Sequence, residues 1–400
     1  MKKGWEEKKI SEVFSTKPPK KEARERLKED DLVSFVPMED LGVLTKHFIS
    51  PKVRTIKEVS GSYTYFAEND VLLAKITPCF ENGKIGIARN LTNGIGFGSS
   101  EYFVFRSTEA IIPDYLYYFL SREQFRKNGA KLMTGAVGHK RVARNFVENS
   151  KIPYPIDLSE QMRIVTILDE SFAAIDKAKE NAQKNLNNAR ELFDSYLQSV
   201  FDNAYDKWEE YKMGEIYDVR DGTHDSPKYH KEGYALITSK NLKDESLDYS
   251  EINYISEQDY NKINERSKVD IGDILYAMIG TIGKPVVIEK EPDFAIKNVA
   301  LFKVPSEQNS YFLKYYLNSQ NVINRMKNDA KGTTQKFIGL GYLRSFPIFV
   351  PTRNEQDNIV KKLDALSAET KKLEAIYEQK LADLEELKQS ILEKAFKGEL

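Results

Sequence analysis

The sequence predicts an α+β fold in which one structural unit occurs twice: two mixed α/β domains, separated by two long helices that pair as an antiparallel coiled coil with pseudo-twofold symmetry. The first observation is that the two tryptophans, Trp5 and Trp208, each open the phrase Trp-Glu-Glu-x-Lys. The second is that strand-like and helix-like patterns follow each phrase in the same order. The third is a long, narrow apolar stripe at the end of each copy. This repeat is a duplicated domain, because solenoid repeats are only about 20 to 50 residues long.

The two copies continue to match beyond the tryptophans. Asp70 precedes an apolar strand pattern in the first copy, and Asp273 precedes one in the second. Further on, Glu160-Gln161 and Glu355-Gln356 each follow a proline-marked strand and open a helical pattern. The chain therefore divides into a first domain, a central helix, a second domain and a C-terminal helix, at residues 1–155, 156–204, 205–351 and 352–400.

Each domain combines strands with a helix. Short apolar runs separated by glycine and asparagine turns predict strands, and the amphipathic stretch that follows them predicts a helix. In the first domain the predicted strands are 70–76, 84–88 and 102–106, and the predicted helix is 115–125. In the second domain the predicted strands are 273–279, 285–289 and 300–304, and the predicted helix is 311–327. The shared order indicates two similar mixed α/β globules.

The two long helices carry apolar residues at alternating spacings of three and four, which is typical of a coiled coil. Helices of about 45 residues would be roughly 65 Å long, longer than a domain of this size, so we expect them to pack on each other. The alternative is that each helix packs on its own domain. The residues predicted to pack between the helices are Ile164, Leu168, Ile175, Leu192, Ile359, Leu363, Leu366, Leu373, Leu384, Leu387 and Ile391.

Composition narrows the class of protein. The chain has 60 basic and 61 acidic residues, but residues 1–155 carry an excess of basic ones. Its single cysteine, Cys79, excludes a framework of internal disulfides. No apolar run approaches the roughly 20 residues of a membrane span, and the first residues lack the pattern of a signal peptide. We therefore expect a cytoplasmic protein without membrane contact.

Patterns typical of catalysis are missing from the sequence. The four histidines match neither a metalloprotease motif nor zinc-finger pairs. The segment 280–284, Gly-Thr-Ile-Gly-Lys, lacks the spacing of a phosphate-binding loop and is followed by Pro285. We expect no catalytic residue and no metal ligand, so the chain is interpreted as a binding protein.

Several motifs together resemble one family. Residues 219–227 read Val-Arg-Asp-Gly-Thr-His-Asp-Ser-Pro, residues 280–284 form a glycine-rich turn, and a proline followed by Glu-Gln leads into each long helix. With the duplicated architecture, they resemble the specificity subunit of type I restriction-modification systems over nearly the whole chain. The first domain departs from the pattern: it has no Asp-Gly-Thr-His phrase, and residues 77–84 replace the glycine-rich turn.

The resemblance implies a DNA-reading function. Each globule would be a target-recognition domain for one half of a bipartite DNA site, and the helices would set the spacer between the halves. The implied partners are double-stranded DNA, two methyltransferase subunits and, in the full complex, restriction subunits. No cofactor is expected in this chain, because S-adenosylmethionine, ATP and Mg²⁺ would serve the partner subunits.

Polar loops are the candidate DNA contacts. Thr223 and His224 lie on a glycine turn, and Lys284 closes the 280–284 turn; a purely structural turn is the alternative for each. A polar loop before the final strand recurs in both copies, which favours DNA contact, whereas Lys75 and Lys84 are weaker candidates because isolated lysines are usually solvated. The loop residues are His139, Lys140, Arg141 and the nearby Arg144 in the first copy, and Thr333, Thr334, Gln335 and Lys336 in the second.

Two other functions remain open at this point. A coiled-coil scaffold without DNA reading would share the helices but would show no salt-dependent DNA binding. A self-contained DNA methyltransferase or nuclease would show activity as the purified chain.

Overall fold

The computed structural model describes residues 2–48, 52–204, 207–243, 246–332 and 336–400. The chain forms two compact units. Unit 1 comprises Met1–Ala182 together with Gln379–Leu400, and unit 2 comprises Gln183–Glu378. Each long helix is therefore divided between the units, and each unit holds one globular domain with a segment of both helices.

Both domains consist of short strands and helices. The strands are β1 (Trp5–Lys9), β2 (Phe14–Ser15), β3 (Leu32–Val36), β4 (Lys52–Thr55), β5 (Thr64–Ala67), β6 (Val71–Ala74), β7 (Ile85–Ile87), β8 (Ile95–Gly98), β9 (Tyr102–Ser107), β10 (Lys151–Pro155), β11 (Glu209–Lys212), β12 (Asp218–Asp221), β13 (Tyr234–Ile237), β14 (Leu242–Lys243), β15 (Ser246–Leu247), β16 (Asn253–Ile255), β17 (Ile274–Ala277), β18 (Gly283–Val287), β19 (Phe294–Ile296), β20 (Val299–Lys303) and β21 (Pro347–Val350). The α-helices are α1 (Ile10–Val13), α2 (Lys21–Arg26), α3 (Ile56–Val59), α4 (Pro113–Ser121), α5 (Glu123–Lys131), α6 (Arg144–Asn149), α7 (Leu158–Asp202), α8 (Met213–Ile216), α9 (Glu257–Ser267), α10 (Ser310–Asn318), α11 (Gln320–Asp329), α12 (Leu340–Ser345) and α13 (Arg353–Lys397). Short 3₁₀ helices cover Met38–Asp40, Thr92–Gly94 and Ser239–Asn241.

The two domains share a sheet topology. In unit 1 one sheet has the order β2-β9-β6-β7, and a second has the order β4-β3-β8-β5, with β3 and β8 parallel. In unit 2 the sheet β12-β20-β17-β18 corresponds to the first, and β16-β13-β19 to the second, with β13 and β19 parallel. In each domain a strand after the tryptophan pairs antiparallel with the strand before the long helix, β1 with β10 and β11 with β21. The predicted α+β duplication is confirmed.

The acidic residue at the start of the matched strands is buried and paired in both copies. Asp70 accepts hydrogen bonds from Arg106 on the neighbouring strand β9, at 2.9 and 2.8 Å. Asp273 accepts one from Lys303 on β20 at 2.5 Å. Each carboxylate also accepts from a backbone N–H three residues earlier in the chain, at 2.7 Å. The acid thus joins two central strands of the sheet, because a buried carboxylate needs such partners.

A single helix was predicted after the strands of each domain, and the structure has two. Helix α4 ends and α5 begins at Arg122, which is extended, with ψ 135°. Ser319 separates α10 from α11 in the same way, with ψ 139°. The break redirects the second helix, and in unit 1 it lets Phe125 contribute to the core. Hydrophobic periodicity does not reveal a one-residue change of direction.

The ends of the long helices complete the domain cores. In unit 1, Ile164 and Leu168 near the start of α7 lie in the same core as Leu392 and Phe396 near the end of α13. In unit 2, the corresponding apolar residues are Leu197 and Phe201 of α7 and Val360 and Leu363 of α13. The alternative, packing of each helix on its own domain, therefore holds for the start of each long helix, whereas the end of each helix packs in the core that contains the other domain.

Each tryptophan joins this packing. In unit 2 the Trp208 ring lies 6.4 Å from the ring of Phe201 on α7 and 5.9 Å from that of Phe312 on α10. In unit 1, Trp5 packs against the core that contains the start of α7 and the end of α13.

Between their ends the helices run antiparallel within each unit and make polar contacts. In unit 1, Lys388 contacts Asp176 at 3.1 Å, and Lys179 pairs with Glu385. In unit 2, Arg190 contacts Glu374 at 2.9 Å and Glu378 at 3.0 Å.

The seam prediction is wrong at three positions: Leu192, Leu373 and Leu387 are 52%, 38% and 47% exposed. Ion pairs flank much of this stretch, and small buried residues such as Ala182 and Ala189 occupy part of it. Ile164, Leu168, Ile175 and Leu363 are buried, while Ile359, Leu366, Leu384 and Ile391 are partly buried. No helix within the described residues is both long and apolar enough to cross a membrane.

Candidate nucleic-acid interface

In unit 1 the polar loop before α6 is attached to the turn that follows β6. The backbone N–H of Thr77 donates to the carbonyl of Lys140 at 2.9 Å, and the N–H of Val142 donates to the carbonyl of Lys75 at 2.9 Å. Ile76 and Arg141 form an antiparallel bridge. Two segments distant in the sequence therefore meet at one end of the sheet, and the loop is held by backbone hydrogen bonds on both sides.

Unit 2 repeats this arrangement. The backbone N–H of Gly280 donates to the carbonyl of Lys336 at 2.9 Å, and Ile279 bridges Phe337. The 280–284 turn and the polar loop, which the sequence marks separately, are thus neighbours. Lys336 is exposed, and its ammonium donates to the carbonyl of Lys327 at 3.3 Å. Thr333, Thr334 and Gln335 lie outside the described residues.

The basic side chains of unit 1 gather around one glutamate. Arg141 makes a two-pronged ion pair with Glu101, at 2.7 and 3.0 Å, and Lys75 approaches the same carboxylate at 3.8 Å. Arg144 lies over the Phe103 ring at 5.1 Å and donates to the carbonyl of Thr16 at 3.0 Å. Glu101 thus fixes two of the cations.

His139 and Lys140 extend the basic group into solvent. Both side chains are exposed, on the loop that precedes Arg141. With Arg141 and Arg144, Lys140 forms a basic surface suited to a phosphate backbone.

Two weaker candidates have internal partners. The ammonium of Lys84 donates to the carbonyl of Met38 at 2.7 Å, and that of Lys75 donates to the carbonyl of Ser100 at 2.8 Å. Burial lowers the pKa of Lys75. These contacts favour a structural role for both lysines, since each ammonium holds a loop in place.

His224 stands at the edge of a cleft of about 380 Å³. One ring nitrogen lies 2.8 Å from the amide oxygen of Asn298, and the other lies 2.9 Å from the carboxylate of Asp221. These two hydrogen bonds, first the one that Asn298 accepts and then the one that Asp221 accepts, raise the pKa of His224. Asp221 is buried and is also paired with Arg266 of α9. The imidazole ring is therefore held in one orientation.

The neighbouring Thr223 is fixed through its backbone. Its N–H donates to the carbonyl of Ile296 at 3.0 Å, and its hydroxyl accepts from the N–H of Asp225 at 3.1 Å. Gly222 allows this approach, because a Cβ there would lie 2.2 Å from the same Ile296 carbonyl oxygen. The glycine of the Asp-Gly-Thr-His phrase is thus required by close backbone contact.

Lys284 is the second residue of β18 and has a left-handed backbone, φ 53°, directly after Gly283. It lines a second cleft of about 420 Å³ with Lys240, Lys243 and Thr281. The alternatives left by the sequence, a hairpin turn and a phosphate contact, are compatible here, since the residue is part of the β17–β18 hairpin and also borders an open cleft.

Sequence reasoning missed the residues that position the candidate contacts. Glu101 orients Arg141, Asp221 and Asn298 hold His224, and Arg266 pairs with Asp221. Only Asp221 carried a signal, because it lies in the same phrase as the histidine. The others come from two distant turns and a helix, so their proximity depends on the fold. Among the described residues, no group of three or more His, Cys, Asp or Glu side chains could hold a metal ion.

Comparison with known proteins identifies relatives of the chain. A family model described as type I restriction modification DNA specificity domain matches residues 2–186 and again residues 205–384. The type I restriction enzyme EcoAI specificity subunit of Escherichia coli is 36% identical over 172 residues, covering 43% of this chain and 29% of that one. The EcoEI specificity subunit of the same species is 33% identical over 201 residues, covering 50% and 33%. The matched part thus spans about a third of these two relatives.

Solved structures show the same fold. A chain from a structure described as the basis of complex assembly and conformational transition of the type I R-M system has a TM-score of 0.80 at 21% identity, covering 100% of this chain and 99% of that one. The HsdS subunit from Thermoanaerobacter tengcongensis has a TM-score of 0.68 at 19% identity, covering 100% and 98%. The likeness extends over the full length, so both domains and both helices belong to one known architecture.

Proposed function

This chain belongs to the type I restriction modification DNA specificity family, and on that premise we propose that it is the DNA specificity subunit of a type I restriction-modification complex. It recognises a bipartite site on double-stranded DNA, one half-site per domain. The domains are residues 1–155 and 205–351, and the long helices, within 156–204 and 352–400, set the spacer. Two domains held at a fixed distance must both contact a defined face of the DNA duplex. A fixed length of the protein helices therefore corresponds to a fixed number of unread base pairs.

The observation that carries the proposal is the repeated attachment of a polar loop to the neighbouring turn. The hydrogen bond from Thr77 to Lys140 in unit 1 has its counterpart from Gly280 to Lys336 in unit 2. Each domain therefore presents a basic loop at the same place in its fold, as a protein that reads two half-sites requires. Lys140, Arg141, Arg144 and Lys336 supply charge for phosphates or guanine, and Gln335 has the amide that pairs with adenine.

Catalysis belongs to partner subunits in this proposal. Two methyltransferase subunits use S-adenosylmethionine, and restriction subunits use ATP and Mg²⁺, while this chain holds no cofactor and selects the site. The complex acts on DNA in the cytoplasm. A scaffold without DNA reading and a self-contained methyltransferase or nuclease are the competing functions.

Methylation sequencing tests the proposal. DNA from cells that express the chain with the methyltransferase subunit of its own system should carry N6-methyladenine in a two-part motif. Replacing residues 205–351 with the second domain of a relative should change one half of the motif, and replacing residues 1–155 should change the other. An active methyltransferase that leaves no motif, or a motif that neither exchange alters, would contradict the proposal.

A further inference from the structure

Val137 has the most exposed large hydrophobic side chain among the described residues, at 93%. It lies in the basic loop of unit 1, two residues before His139 and three before Lys140. Single exposed apolar residues are common on protein surfaces and usually need no explanation. This one is unusual because it lies in the same loop as His139, Lys140 and Arg141 and because backbone hydrogen bonds define that loop.

The turn at Val137 is defined by backbone geometry. The N–H of His139 donates to the carbonyl of Ala136 at 2.9 Å, and Gly138 has φ +79°. These features are typical of a type II turn, in which Val137 is the first central residue and the second must be able to adopt positive φ. The side chain of Val137 is therefore at the apex of the loop.

The base of the loop is closed in the same way. Thr134 and Arg141 exchange backbone hydrogen bonds of 3.1 and 2.8 Å, and Glu101 holds the Arg141 side chain. Gly135 has φ +126°, and a Cβ there would lie 2.9 Å from the carbonyl oxygen of His139. The two sides of the loop are therefore in close backbone contact. Hydrogen bonds and the Glu101–Arg141 ion pair thus fix the base of the loop that carries Val137.

DNA offers one apolar group that an exposed apolar side chain such as Val137 can contact. Phosphates and the base-edge donors and acceptors suit His139, Lys140 and Arg141, but not an isopropyl group. The methyl group of thymine projects into the major groove and is contacted by small apolar side chains. Resting on the proposed DNA-reading function, we infer that Val137 contacts the 5-methyl group of a thymine in the half-site read by the first domain, and so determines specificity there.

Deoxyuridine provides a direct test, because it differs from thymidine only by this methyl group. The full chain with its methyltransferase subunits would be titrated with duplexes that carry the motif mapped by methylation sequencing. In a series of further duplexes, one thymine of the first-domain half-site at a time is replaced by deoxyuridine. At one position the wild-type complex should bind about fourfold more weakly, which corresponds to one buried methyl group.

The variant Val137→Ala should bind the thymine duplex more weakly and should no longer distinguish it from the deoxyuridine duplex. Its thermal unfolding should match the wild type, because the side chain makes little contact with the fold. Lys140→Ala is the matched control: loss of a phosphate contact weakens binding to both duplexes equally. Deoxyuridine in the other half-site should have the same effect on wild type and Val137→Ala.

The inference is overturned if the first-domain half-site contains no thymine on either strand, if wild type binds every deoxyuridine duplex as well as the thymine duplex, or if Val137→Ala keeps the discrimination. A protein partner at this loop would give the second of these results together with normal sequence-specific binding. Failure of the proposed function is different, since the wild-type complex would then show neither a methylated motif nor preference for any sequence.

Discussion

The hydroxyl of Tyr315 on α10 donates a 2.6 Å hydrogen bond to the carboxylate of Asp364 on α13. In unit 1 the hydroxyl of Tyr118 on α4 contacts Asp169 on α7 in the same way. The pair joins the domain to the start of the helix that follows it, in both copies. The repeat has therefore kept a polar contact between domain and helix as well as the apolar packing.

Removing this hydroxyl should loosen the attachment of helix to domain. Tyr315→Phe keeps the ring and leaves the Asp364 carboxylate without this donor, so the free energy of unfolding should fall by about 1.5 to 3 kcal/mol, as for other hydrogen bonds to charged groups. Denaturant unfolding measures the change. Tyr229→Phe, at an exposed position, is the control and should leave the value within about 0.5 kcal/mol of wild type; equal effects of both variants would contradict the prediction.

The buried glutamine at the start of each long helix should be equally sensitive. The Gln161 amide donates to the carbonyls of Ala110 and Pro155, at 2.9 and 2.8 Å, and accepts from the N–H of Ile112 at 3.0 Å. Gln161→Ala removes the partner of these three groups. The free energy of unfolding should fall by about 1 to 3 kcal/mol for each group that water does not reach. Thermal unfolding should show the loss, whereas Gln124→Ala, at an exposed position of α5, should change little.

Two leucines of α13, Leu363 and Leu373, differ in burial and should therefore differ in their contribution to stability. Leu363 is fully buried in the core of unit 2, so Leu363→Ala should lower the free energy of unfolding by about 2 to 5 kcal/mol. Leu373 lies ten positions further along the same helix but is partly exposed, and Leu373→Ala should cost less than about 1 kcal/mol. Comparable losses in urea unfolding would show that the coiled-coil seam extends through Leu373 after all.

His224 should make stability depend on pH. Its pKa is raised in the folded chain, so protonation stabilises the fold fully below the ordinary pKa of about 6.5, and the contribution is lost as the pH rises through the raised value. The melting temperature of wild type should therefore fall relative to that of His224→Gln between about pH 6 and pH 8. Parallel pH profiles of the two proteins would contradict this assignment of charge.

The two basic loops should contribute separately to DNA affinity. Lys140→Ala and Lys336→Ala each remove one exposed cation, so each should reduce the slope of log affinity against log salt concentration by about 0.9. Because the loops belong to different domains, the double variant should lose the sum of the two effects. Lys177→Ala on α7 is a control for the loss of an exposed lysine; a change in slope as large as that of Lys140→Ala would argue against a specific basic loop.

The repeat made much of the architecture predictable. The tryptophan phrases, the aspartates that precede β6 and β17, and the glutamines in the first turn of each long helix recur at matching places. The structure gives the aspartates and the glutamines equivalent contacts in both copies. The sheets that contain β3 with β8 and β13 with β19 were not predicted, because parallel pairing joins segments far apart in the sequence and leaves no local signature.

The site could be predicted only in part. Sequence position indicated the polar loops, but the partners of Arg141 and His224 come from other elements. The stripe on the long helices predicted helix pairing, yet it did not show that their ends are buried in the domains or that Leu192 and Leu387 remain exposed.

The division of each long helix between the units has a consequence for biosynthesis. The core of unit 1 contains Leu392, Ala395 and Phe396, which are more than two hundred residues from the rest of that core. A ribosome has therefore made the whole second domain before the first can close, whereas unit 2 is continuous and can mature earlier. Contacts so distant in sequence also slow folding. The domain translated first should be the last to become protected from proteases, and it would be the first to suffer from premature termination.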